Sequence, residues 1–318
     1  MCFTAQCRAH YRDYLREFDA TLSLEEFARL YAHHGVASPP RTPRAMDAAF
    51  LELHSDAGRR IAIHILEARR RQAEAWQAEL FRQRRRLSDA ERSLQTRVTR
   101  KALEDQRIAG SKLPWLRARL ADLGRQDLQP RDARIYPQWY APVMVWADDG
   151  PVVMPMRYLC RPAGRPASHD RRYPGCYNAR RDNLEGFWKD QFAHTHAVMI
   201  VDAFYENVSR HRLEGRELTA GEAEQNVVIE FRADHGQPMY VACLWSRWTG
   251  ADGAELLSFA AITDAPPPEV AAAGHDRCIV PLRRHNVEAW LRPDGDRRRA
   301  HQLLDERERP YYTHRLAA

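Results

Sequence analysis

Lysine is almost absent from this chain. Of its 49 basic residues only Lys101, Lys112 and Lys189 are lysines, and 46 are arginines. A GC-rich genome produces such a skew with no function attached, yet arginine also suits bidentate phosphate contacts and stacking on bases. Long apolar runs are missing, which excludes a helix spanning a membrane. The first residues, Met1-Cys2-Phe3-Thr4-Ala5-Gln6-Cys7-Arg8, hold neither an apolar core nor a basic leader, so they encode no secretion signal. Six cysteines are scattered, with no pair at the spacing of a disulfide framework or zinc ribbon. Reduced thiols in a cytoplasmic, nucleoid-associated protein are the expectation. There is no glycine-rich phosphate loop and no Gly-x-Ser-x-Gly elbow, which argues against simple nucleotide-binding and serine-hydrolase readings. His194 and His196 with Cys160 or Cys176 repeat no ligand spacing, so neither a metal nor a cofactor is expected.

What is present fills 318 residues, 44% of them hydrophobic, with a formal charge of +6. The pI is 9.1 and the mean hydropathy −0.64, wet for a globular chain but not disordered. The length suits one large domain or a domain carrying an insertion. A modest positive excess is compatible with nucleic acid without establishing it.

Two compositions divide the chain. Residues 10–130 are Arg/Glu/Ala-rich with helical spacing. Ser23-Leu24-Glu25-Glu26 predicts a capped helix start, and three prolines between 38 and 43 predict a linker. A long helix is expected at 56–86, with Ala62, Leu66, Ala73, Trp76, Leu80 and Leu87 as its seam. Ser88-Asp89-Ala90-Glu91 predicts a break and a returning helix carrying Leu94 and Val98, which places the basic run at 82–86 at the hairpin tip. That run reads as a solvated face or as a phosphate-contacting patch. After 134 the period changes. Short apolar runs at 143–146, 152–154, 197–201, 227–231, 239–242, 256–260 and 278–280 are separated by turns such as Asp148-Asp149-Gly150 and Asp234-His235-Gly236, which predicts strands and hairpins and a closing helix near 285–292.

Chemistry concentrates at four places. Cys2 follows the initiator, and removal of Met1 leaves an α-amine and a thiol on one residue. Such a 1,2-aminothiol condenses with an aldehyde to a thiazolidine, a ring that neither group forms alone. Asn178 in Tyr177-Asn178-Ala179-Arg180, Glu206 in Val201-Asp202-Ala203-Phe204-Tyr205-Glu206, and His275 in Gly274-His275-Asp276-Arg277 each set a polar group beside apolar residues. Taken singly, each reads more simply as a strand-end or loop residue, and a cysteine at position 2 as incidental.

Together, and in this order, the four resemble the SRAP family, the SOS response-associated peptidases that shield abasic DNA. The resemblance covers 1–32 and 134–292. It implies an α+β fold: a β-rich core of mixed and antiparallel strands at 1–32 and 133–295, a helical hairpin inserted at 33–132, and a tail at 296–318. It implies that Cys2, Asn178, Glu206 and His275 are catalytic, with Arg180, Arg277, Arg157 and Tyr158 contacting DNA. The implied activity is covalent capture of abasic sites in single-stranded DNA through a Cys2 thiazolidine, together with thiol autopeptidase and lyase action. In that scheme Glu206, its pKa raised beside Phe204 and Tyr205, shuttles the proton that opens the sugar ring. His275 relays a proton and Asn178 orients the amine. The implied partners are abasic single-stranded DNA and a replication or repair protein held by the insertion.

The sequence departs from the family pattern at several points. Cys2-Phe3-Thr4 replaces Cys-Gly-Arg, Tyr158-Leu159-Cys160-Arg161-Pro162 stands where the family has Trp-Gly-Leu-Ile-Pro, and Asn207 follows Glu206 in place of Trp. Two other readings remain open at this point: a cysteine peptidase acting in trans, and a non-catalytic scaffold that uses the helical insertion.

Overall fold

The computed structural model describes residues 4–7, 11–33 and 39–317. The chain begins with β1 (Thr4–Cys7), α1 (Arg12–Phe18), β2 (Thr21–Leu22), α2 (Leu24–Ala32) and α3 (Arg44–Leu51). Two long helices follow, α4 (Asp56–Thr96) and α5 (Arg100–Gly124). The chain then alternates strands with short helices: β3 (Arg134–Ile135), β4 (Tyr140–Ala147), β5 (Gly150–Tyr158), α6 (His169–Arg172), β6 (Asn178–Arg180), β7 (His196–Ser209) and α7 (Arg210–Leu213). Next come β8 (Asn226–Ala233), β9 (Met239–Thr249), β10 (Glu255–Asp264), α8 (Pro268–Ala272), β11 (Cys278–Ile279) and β12 (Pro281–Leu282). The last elements are α9 (Val287–Leu291), α10 (Arg297–Asp305) and β13 (Tyr312–Leu316). The fold is α+β, a strand-rich core with a long helical excursion.

Strands β7, β9, β10, β5 and β4 pair in turn, and β4 returns to β7 at Met144↔Val198, so the sheet closes on itself. Closure removes the edges that an open sheet would expose. Apart from Asp202, Glu206, Asn207 and Ser209, the residues of β7 after His196 are apolar, aromatic or alanine, and nearly all are buried, as a strand covered on both faces requires. Phe204, Phe231 and Phe259 are fully buried in the core. Trp290 closes one end, its indole N–H donating to the Ala197 carbonyl at 3.0 Å and its ring lying 3.6 Å from that of His196.

All seven apolar runs are strands, and Asp148-Asp149-Gly150 turns β4 into β5. The turn at 234–236 makes no hairpin, however. β8 and β9 lie end to end against β7, β8 beside 204–209 and β9 beside 196–201. In the segment after 295, α10 packs Leu303 and Leu304 inward, and β13 pairs antiparallel with β8.

The helical region needs two further corrections. Ser23 precedes α2 but its side chain makes no capping bond. Helix α4 runs unbroken through Ser88 to Thr96, so the basic run at 82–86 lies three turns inside it. The reversal falls at Arg97-Val98-Thr99, where the Thr99 hydroxyl accepts from the Ala102 N–H at 3.2 Å and starts α5. The seam differs as well. Ile61 and Ile65 are buried near the base, Gln83 and Ala90 farther out, whereas Leu66 is 55% exposed and Val98, in the turn, 70%.

Candidate functional site

Glu206 and His275, 69 positions apart, meet in the core. Glu206 is fully buried near the end of β7, opposite Ile229 of β8. His275 sits in the loop after α8, behind Gly274, whose φ of +90° is left-handed backbone that favours glycine. A Cβ on Gly274 would lie 3.1 Å from Cβ of Arg212 in α7, so the loop also rests closely on the chain that follows β7. His275 Nε2 is 3.1 Å from Glu206 Oε2, and Nδ1 is 2.9 Å from the Arg277 carbonyl. Nδ1 also lies 3.4 Å from the Arg277 N–H, so the backbone of this loop offers that nitrogen both an acceptor and a donor. Nε2 and a carboxylate oxygen attract each other only with a proton between them. Burial holds the His275 pKa below the ordinary histidine value, which favours the neutral ring. The pair therefore sets a carboxyl and an imidazole side by side in a site shielded from water.

Asn178 is carried on the flank of β10. Strand β6 lies parallel to β10, with Asn178 opposite Ala261, and β11 lies antiparallel to it, with Ile279 opposite Thr263. One strand thus carries Asn178 on one flank and, on the other, the strand that follows His275. Asn178 is buried, and the Tyr158 hydroxyl lies 3.5 Å from its Oδ1.

Cys2 lies outside the described residues. The strand it precedes is well placed: β1 runs antiparallel to β7, with Thr4 opposite Tyr205, the neighbour of Glu206.

The residues expected to contact DNA separate into two groups. Arg180 is half-exposed and forks onto Asp182, its Nε at 2.9 Å, and Arg277 lies 3.5 Å from Asp276; both flank the Asn178 and His275 segments. Arg157 and Tyr158 are placed inward. Arg157 pairs with Asp170 at 2.8 Å, and Tyr158, 2% exposed, stacks on Phe259 with ring centroids 5.1 Å apart.

The sequence reading missed a polar network under β1. The Glu230 carboxylate accepts from Arg232 Nε at 2.6 Å and Arg315 Nε at 3.0 Å, with the Tyr205 hydroxyl 3.0 Å from its other oxygen. Burial opposes that charge, but the Arg232 and Tyr205 bonds outweigh it and hold the Glu230 pKa below the usual carboxylate range. Burial and the Glu230 charge push the Tyr205 hydroxyl up to about 12, so it stays protonated. Gln6 Oε1 accepts from Arg232 at 2.7 Å and lies 3.1 Å from the Tyr205 hydroxyl. Arg134 donates to Thr4 Oγ1 at 2.8 Å with its guanidinium 3.9 Å from the Tyr205 ring centre. Thr4, standing where the resembled family has arginine, is thus buried and held by an arginine from β3. A charged residue inside the run Val227-Val228-Ile229-Glu230-Phe231 was the available signal.

His196 is structural: Nδ1 bonds the Trp290 carbonyl at 2.8 Å and Nε2 accepts from the Ala193 N–H at 2.9 Å. Among the described residues no group of three or more His, Cys, Asp or Glu is arranged to hold a metal. Nor is any described helix long and apolar enough to cross a membrane.

The profile of the SOS response associated peptidase (SRAP) family matches residues 96–317, most of the chain and all the elements that carry Asn178, Glu206 and His275. Crystal structures resemble the chain distantly. One, of a protein from Bordetella bronchiseptica, is 18% identical with a TM-score of 0.47, covering 61% of this chain and 90% of that one. Another, from Bacteroides thetaiotaomicron, is 14% identical with a TM-score of 0.47 over 58% and 77%. A third, a phage-related protein from Bordetella bronchiseptica, is 20% identical with a TM-score of 0.44 over 61% and 84%. No protein of curated function matches.

Proposed function

We propose that this chain, which belongs to the SOS response associated peptidase family and so to the proteins of DNA damage that bind abasic sites, captures abasic sites in single-stranded DNA covalently through Cys2. The observation that carries the reading is the buried Glu206–His275 pair at 3.1 Å, with Thr4 of β1 held opposite Tyr205.

An abasic sugar is mostly a closed hemiacetal, so a proton must reach the ring oxygen before the aldehyde is exposed. Glu206 supplies it, with His275 as the reservoir that sets where the proton rests. The Cys2 amine, freed by removal of Met1, adds to the aldehyde carbon and loses water to give an imine. The thiol then adds to the imine carbon and its proton passes to the nitrogen, closing the thiazolidine. Asn178 orients the amine, and Arg180 and Arg277 hold the flanking phosphates. The family's autopeptidase and lyase activities would use the same groups: the Cys2 thiol attacks the preceding peptide carbonyl, the C–N bond breaks to free the Cys2 amine, and water hydrolyses the thioester; or the imine acidifies C2′, whose proton is lost to a base as the 3′ phosphate leaves. The test is the intact mass of the protein after incubation with an abasic oligonucleotide. A covalent increment equal to the DNA less one water supports the reading; an unchanged mass overturns it.

A further inference from the structure

Positive charge is not spread over this molecule. The stretch 56–124, which holds α4 and α5, contains 17 Arg and Lys against 9 Asp and Glu, a net of +8, while the whole chain is +6. Everything outside the two helices is therefore net negative. Near its base, α4 packs Ile61 and Ile65 into the core. Farther out, the buried residues are Gln83 and Ala90 on α4 facing Ala102, Ala109, Leu113 and Leu116 on α5. Twenty-five residues of α5 make an arm of roughly 37 Å. This is an elongated basic lever on a slightly acidic body.

The distal half concentrates the effect, with nine basic and four acidic residues between 82 and 107. Some arginines are neutralised locally: Arg86 bonds Asp105 with Nε at 2.8 Å, and Arg82 bonds Glu79 with Nε at 2.8 Å. Arg84, Arg97, Arg100 and Lys101 are exposed and make no ion pair among the described residues. A groove of about 510 Å³ opens between the helices here, lined by Arg82, Arg85, Arg86 and Lys101 with Asp89 and Asp105. Beside it Phe81 stands 75% exposed, one turn from Arg84 and Arg85 on the same helix face. An exposed aromatic ring flanked by guanidinium groups, Arg84 unpaired among the described residues and Arg85 in a long 3.9 Å pair with Asp89, is the arrangement that stacks a base while neighbouring charges take the phosphates.

We infer that the distal half of the α4–α5 arm binds the backbone of single-stranded DNA, with Phe81 stacking a base, at a site separate from the buried Glu206–His275 pair. The choice of DNA as the strand rests on the proposed function; the charge segregation and the exposed ring do not. The arm engages nucleotides remote from the captured sugar, so it acts only on strands long enough to reach it.

The test uses the full chain and oligonucleotides without abasic sites, so it does not depend on Cys2. Affinity is measured by fluorescence anisotropy over a salt series, on a strand of about 40 nucleotides and one of about 8. Replacing Arg84, Arg85, Arg97 and Lys101 together by Gln keeps helix propensity, and circular dichroism checks the fold. The expected result on the long strand is a salt slope reduced by about 3, from ~0.7 per lost phosphate contact, and affinity at least about tenfold weaker. Phe81→Ala alone weakens the long-strand complex about tenfold. Neither change alters abasic adduct formation on the short strand. Equal slopes for parent and variant overturn the inference. So does loss of binding to phosphatidylserine vesicles with DNA affinity unchanged, which assigns the arm to a lipid surface. Loss of adduct formation in the parent, with long-strand binding intact, counts against the proposed function and leaves the arm's assignment standing.

Discussion

Replacing Glu206 by Gln isolates the proton from everything else the residue does. The side chain is fully buried and the amide matches the acid in size, so no cavity opens. The amide N–H can donate to His275 Nε2 across the same 3.1 Å, so the contact survives in one orientation. What is lost is the ability to release a proton to the sugar ring oxygen. Removing a positioned general acid costs about 10²–10⁴ in rate, or about 3–5 kcal/mol of barrier. Single-turnover adduct formation on an abasic single strand, followed on denaturing gels at saturating protein, should therefore slow by that factor. Affinity for a reduced, unreactive abasic analogue should hardly move. If Glu206 and His275 act as one proton-holding unit, Glu206→Gln with His275→Gln should cost little more than the worse single change. A Glu206→Gln protein that reacts at the parental rate refutes the role assigned to the pair.

Arg134→Ala removes a hydrogen bond to Thr4 and a cation–π contact with Tyr205, about 1–2 kcal/mol in all; adduct formation should slow about tenfold, Arg134→Lys should restore part of it, and thermal unfolding should separate this from general destabilisation. Burial lowers the His196 pKa to about 4 from its ordinary value near 6.5, so the unfolded chain binds the proton first and stability falls as pH drops through that window, by about 3 kcal/mol at pH 4. Denaturant titrations across that range should show the slope, and His196→Gln should flatten it. Phe204→Ala, in the stack with Phe231 at 5.0 Å, should cost about 3–5 kcal/mol in the same titrations.

How far the fold is legible depends on whether its signal is local. The seven apolar runs became strands because alternation and β-branching are visible within a few residues. β1, β6 and β13 did not register, being short and stable only through distant partners such as β7, β10 and β8. Ser88-Asp89-Ala90-Glu91 has the composition of a helix start, yet Ala90 is buried against α5, and that tertiary contact carries α4 onward to Thr96. The same misplacement put the basic run at the tip. At the site, Asn178, Glu206 and His275 were singled out through ordered motifs, and the meeting of Glu206 with His275 depends on the end of β7 and the loop after α8, which no local pattern encodes. The inward placement of Arg157 and Tyr158 was not legible, since it depends on Asp170, thirteen residues beyond Arg157, and on the Phe259 ring from β10.

The central claim is that Cys2 captures the sugar with both its amine and its thiol. The most direct measurement is an SDS- and heat-stable adduct between the protein and abasic single-stranded DNA without borohydride, compared across three forms. The processed protein should give the adduct and Cys2→Ala none. A form with its amine blocked by an N-terminal tag should also give none, because the amide cannot form the imine. Replacing Cys7, Cys160, Cys176, Cys243 or Cys278, each of them buried, should leave the adduct unchanged. An N-terminally tagged protein that forms the stable adduct as well as the processed one would contradict the account.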